Sequence, residues 1–67
     1  MEGRIVGQQG EERFLVQIDP GTVRILDLEH RHYFPPTDLD DVVARESWDP
    51  PSTDRSLEEL VGEVEVA

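Results

Sequence analysis

The chain has 67 residues, no cysteine and a formal net charge of -10, with Arg supplying all six positive side chains. That length holds one domain, and a chain this short buries only about 60% of the surface its unfolded form exposes, so its core must be small. With no cysteine, neither a disulfide framework nor a thiolate metal site can reinforce it, which leaves self-association as a common route to further burial.

The charge is unevenly distributed. Residues 1–36 carry six acids against four Arg, and residues 37–67 carry ten acids against Arg45 and Arg55. Such a balance argues against a nucleic-acid backbone or an anionic membrane as partner, because affinity for either comes from Lys and Arg. A basic protein surface is the electrostatically favoured partner. The longest apolar runs are three residues, so the sequence predicts no signal peptide and no membrane span, and a cytoplasmic location.

A short strand is expected over Gly3 to Gln8, where Gly3 and Gly7 point to bending or a close backbone approach. Next comes the hairpin around which the chain is organised, from Glu12 to Tyr33. Its turn is Asp19-Pro20-Gly21-Thr22, with Pro presetting φ and Gly free to take positive φ. In the strand Arg13 to Ile18, Phe14, Val16 and Ile18 share one face, expected to be the core, and Leu15 lies on the other. In the following strand Val23 and Ile25 share one parity, and Leu26 and Leu28 the other. This slip marks either a β-bulge or a strand serving two layers.

Pro35-Pro36 ends the sheet ladder, since neither residue has an amide hydrogen. A helix over 38–46 follows, with Thr37 or Asp38 as N-cap, Asp40 and Asp41 in the first turn, and Leu39, Val42 and Val43 on one stripe. The prolines of Asp49-Pro50-Pro51 break the chain. Ser56-Leu57-Glu58-Glu59 is a capping box that starts a second helix, expected over 57–61, with Gly62 and the alternating Glu63-Val64-Glu65-Val66 ending it in a frayed tail. The fold expected is mostly β (α+β): a three-stranded antiparallel meander with one or two short helices in the C-terminal half. The meander resembles part of a small SH3-like or OB-like barrel. Residues 1–48 form the domain, and residues 49–67 an acidic arm.

Enzyme signatures are missing: there is no Gly-x-Ser-x-Gly elbow, no Gly-rich phosphate loop followed by Lys and no His-Glu-x-x-His, so neither catalysis nor a cofactor is expected. His30 and His32 have the spacing of two ligands on one strand face, yet Arg31 separates them and no second ligand set accompanies them, so no metal is expected. Their protonation could instead make partner binding pH-sensitive. Asp38, Asp40 and Asp41 imitate a calcium loop, but its sixth and twelfth positions are Val43 and Asp49.

Three functions remain. The first is a regulatory module binding a basic protein partner through Trp48, Leu57, Glu58, Glu59, Leu60, Val61, Glu63 and Val64, an apolar helix stripe with an acidic rim. Trp48 either folds back on the core or stands out as an anchor. The second is an assembly protein whose sheet edges pair between copies in a homo-oligomer. The third is a nucleic-acid binder using Arg4, Arg13, Arg24 and Arg31 with Tyr33 and Phe34 for stacking.

Overall fold

The computed structural model describes residues 3–65. Strands β1 (Arg4–Gln9), β2 (Arg13–Asp19) and β3 (Thr22–Asp27) form an antiparallel meander, as their alternation predicts. Two short strands, β4 (His32–Tyr33) and β5 (Thr37–Asp38), are added on the far edge of β3, so the sheet has five strands rather than three. The β2–β3 turn falls on Pro20-Gly21, with the Asp19 carboxylate accepting the Gly21 N–H at 3.1 Å. Positive φ occurs at Gly10 (63°) and Arg31 (55°) and is not needed at Gly21.

Both faces of this sheet are covered. Face one gathers Phe14, Val16 and Leu26 with Leu60, and face two gathers Leu15, Val23 and Val42. Expecting only the Phe14 parity inside was therefore half the answer: Leu15, on the opposite parity, is 2% exposed. A strand buried on both sides reads as a continuous apolar run, which Phe14-Leu15-Val16 is. The slip in β3 has the same cause. Phe14↔Leu26 and Leu15↔Ile25 pair in unbroken register, so Ile25 and Leu26 simply enter opposite layers, and no bulge lies between them. The bulge of β1 lies between Ile5 and Gly7. There a Cβ on Gly7 would come within 3.2 Å of the Trp48 Cβ and 3.3 Å of the Leu15 Cβ, which is the close approach its glycine permits.

Helix α1 (Leu39–Arg45) covers face two through Val42 and Leu39. Its N-cap is Asp38, whose carboxylate accepts the Asp41 N–H at 3.1 Å, and Arg45 pairs with Asp41 one turn back. Helix α2 (Leu57–Glu65) covers face one. Ser56 caps it, accepting the Glu59 N–H at 3.1 Å.

Helix α2 runs past the expected stop at Val61. Gly62 costs about 1 kcal/mol of helix propensity. That loss is offset by Leu60, 0% exposed in the core, by Val64 packed against the same cluster, and by Arg55, which pairs with both Glu59 and Glu63. The expected tail beyond Glu65 lies outside the described residues.

The link between the helices crosses the edge of β1. Trp48 packs on face two, Asp49 forms an antiparallel bridge with Gln8, and the chain then reaches α2 on face one. Gln8 holds this strap with its backbone, whose N–H and C=O each bond Asp49 at 2.9 Å. Its carboxamide oxygen also accepts the N–H groups of Ser52 at 2.8 Å and Thr53 at 3.2 Å. Leu57, Leu60, Val61 and Val64 of α2 thus share the face-one core with the strands. Among the described residues no helix is long and apolar enough to cross a membrane.

Candidate docking groove

Helix α2 seats Leu60 on Phe14, Val16 and Leu26 and leaves the Ile18 and Arg24 end of face one bounded by a groove of about 660 Å³. Ile18, Arg24, Tyr33 and Pro36 form its sheet wall, and Leu57, Glu58, Val61, Gly62 and Glu65 its helix wall. Gly62 has no atom within 4 Å of where a Cβ would stand, so this part of the helix leaves the groove open. Glu58 and Glu65 are exposed and lie seven residues apart, about 10 Å along the axis.

Arg24 is held in place. Its Nε donates to the Phe34 carbonyl at 2.7 Å and one Nη to the Tyr33 carbonyl at 3.3 Å, and the guanidinium carbon lies 3.7 Å from the Tyr33 ring centroid. Burial pushes the Tyr33 phenol pKa up, with Arg24 opposing and Glu65 adding to the rise. Charges from both walls therefore act on the Tyr33 ring.

A second polar cluster lies on face two. Arg13 donates to Gln9 at 2.6 Å and to Glu46 at 3.1 Å, lies 3.7 Å from Asp27, and stands 5.5 Å from the Trp48 ring. The Gln9 amide holds the Glu46 carboxyl below its ordinary pKa, and Arg13 reinforces this against the opposing effect of burial. Asp27 is buried, which by itself raises its pKa. The His30 backbone amide, the His30 ring at 2.9 Å and the Arg13 charge together outweigh burial and bring it below the ordinary value. Through Glu46, which caps α1 at its C-terminus, this cluster ties α1 to the sheet. His30 and His32 serve different neighbours, since the His32 ring meets the Phe34 ring edge-on at 4.3 Å.

Of the residues expected to meet a partner, Leu57, Glu58 and Val61 line the groove. Val64 is half-buried against the face-one core and Leu60 is wholly inside it. Glu59 and Glu63 flank the groove residues and pair with Arg55. Trp48 lies on the other face, half-buried beneath Arg13. Of the sheet wall, Arg24 and Tyr33 are expected from the sequence only as nucleic-acid contacts, and the structure sets them beside the α2 stripe instead; the signal for this is that Arg24 has the parity of Leu26 and so shares its face.

These features define a mostly β protein with one antiparallel sheet, a helix on each face and an acid-rimmed apolar groove beside the second helix. Compared with protein-family models, with curated proteins and with solved structures, the chain matches none.

Proposed function

We infer that this chain is a non-enzymatic binding module whose groove takes a basic, apolar-anchored segment of a partner protein. One observation carries the reading: on a chain of net charge -10, the apolar side chains of Ile18, Leu57 and Val61 line one groove together with exposed Glu58 and Glu65. Apolar side chains supply contact area in such a site, and the carboxylates steer a segment that carries cations. The sheet arginines lend less support to nucleic-acid binding. Arg24 lies on face one, whereas Arg13 is engaged with Glu46 and Asp27 on face two. They do not form one basic stripe.

Selection from a random displayed-peptide library tests the proposal. The expected pool combines Arg or Lys with Leu, Ile or Phe, its binding weakens as salt rises, and a Val61→Asp variant loses it. A pool without basic residues, or binding indifferent to salt, would overturn it.

A second reading, pairing between copies, rests on β1. Gln8 bridges Asp49 on its outer edge, and no further strand pairs there among the described residues, so Arg4–Gly7 can accept a strand. A monomer in sedimentation at micromolar concentration would remove this alternative.

A further inference from the structure

We propose that Arg24 is an anion-recognition point within the groove and that the docked segment presents a carboxylate to it, an inference that rests on the docking reading above. The chain holds 16 acids and only 6 Arg, so a half-buried arginine without an acid neighbour is unexpected. Arg13, Arg45 and Arg55 each pair with carboxylates; Arg4 and Arg31, which make no such pair among the described residues, are exposed to water. Arg24, half-buried in the groove wall, has no carboxylate within 4 Å among the described residues.

What Arg24 does contact fixes it without neutralising it. Two of its N–H donors go to the Phe34 and Tyr33 carbonyls, and the Tyr33 ring lies against its face. A guanidinium has five N–H donors in a rigid fork, so three are not taken up by the described residues. A partly desolvated cation with no counter-charge is costly, and a carboxylate entering the groove would supply that charge in the paired geometry Arg favours. Across the groove stand Glu58 and Glu65, neither close enough to pair with Arg24. The groove is therefore lined by a cation from the sheet and two carboxylates from the helix, with the apolar Ile18 and Val61 contributed by the same two walls. A segment that carries an apolar side chain together with a carboxylate and a cation matches this lining. A chain-terminal carboxylate and an Asp or Glu side chain share that chemistry.

Three small probes at tens of millimolar separate these cases by NMR on the isotope-labelled protein, read at the Arg24 Nε–H and the Val61 methyls. The probes are N-acetyl-leucine, N-acetyl-leucinamide and N-acetyl-aspartate methylamide. The expected result is that one or both acids shift the Arg24 signal and bind at least about tenfold tighter than the amide, as a charge-assisted pair requires. Preference for acetyl-leucine assigns a terminal carboxylate, and preference for the aspartate derivative a side chain. Arg24→Gln should erase the difference between acid and amide. Arg24→Lys, which keeps the charge and loses the fork, should retain part of it, so a folding defect in one variant leaves the other to decide. Acid and amide binding alike, or no shift from either acid, would overturn the proposal. The peptide selection reads the docking function separately, so the two can fail independently.

Discussion

The side-chain oxygen of Gln8 accepts the backbone N–H of Ser52 at 2.8 Å although 44 residues separate them. The same oxygen takes the Thr53 N–H, and the amide nitrogen donates to the Gly10 carbonyl at 2.7 Å, so this 5%-exposed polar group is satisfied at both ends. Gln8→Ala leaves two strap amides without their acceptor, at a cost of about 2 kcal/mol. Urea denaturation should show that loss, and hydrogen exchange should show Ser52 and Thr53 losing protection before the β2–β3 amides do. Unchanged protection at those two amides would mean the strap is held by the Asp49 bridge alone.

Leu60 joins α2 to the sheet and is wholly buried, whereas Val43 on α1 is 50% exposed. Leu60→Ala should cost about 2–5 kcal/mol, since a cavity adds to the lost transfer energy, and Val43→Ala should stay within about 0.5 kcal/mol. In a domain this small the first change is comparable to the whole stability. Thermal melts of the two variants check it, and equal shifts would contradict the burial pattern.

Stability should depend on pH through the Asp27–His30 pair, with opposite signs at the two ends. Asp27 has a folded pKa below its ordinary 3.8, so its contribution is present above that value and is lost as pH falls through the folded pKa. His30 has a folded pKa above its ordinary 6.5, raised first by its hydrogen bond to Asp27 and then by the Asp27 and Glu29 charges. Its contribution is complete below 6.5 and is lost as pH rises through the folded pKa. The pair therefore stabilises most between the two values. His30→Ala should remove the decline on the alkaline side, as melting temperature against pH would show, while the acid-side decline persists through Glu46, whose pKa is also lowered.

Signals confined to a few neighbouring residues were legible in the sequence. The Pro-Gly turn, the Asp38 cap and the Ser56 cap each act over a handful of positions, and each stands where its chemistry puts it, although the Glu59 carboxylate pairs with Arg55 rather than completing a capping box. The second buried face was legible in principle, because Phe14-Leu15-Val16 is too continuous for a strand with one wet side. Helix α2 illustrates the opposite case. Gly62 and the Glu-Val alternation are correct local arguments for a stop, and packing of Leu60 and Val64 overrides them. The sheet wall of the groove depends on register. Arg24 meets Tyr33 only because the Phe34 N–H bonds the Ile25 carbonyl and brings β4 alongside β3, a pairing no local pattern specifies.

The two walls of the groove should respond differently to substitution. Glu58 and Glu65 are exposed and make no ion pair among the described residues, so Glu58→Gln with Glu65→Gln should leave the melting temperature almost unchanged. Their effect on binding should appear chiefly in the association rate and its salt dependence, because rim charges act on encounter more than on the bound contact. Val61 is half-buried against the core as well as facing the groove, so Val61→Ala should lower stability by about 1 kcal/mol and speed dissociation instead. Surface-binding kinetics with a peptide from the selected pool, measured at low and high salt, resolve the two effects. A double Glu→Gln variant whose association rate and salt slope match those of the parent would show that the acidic rim plays no part in recognition, leaving the apolar lining alone to carry it.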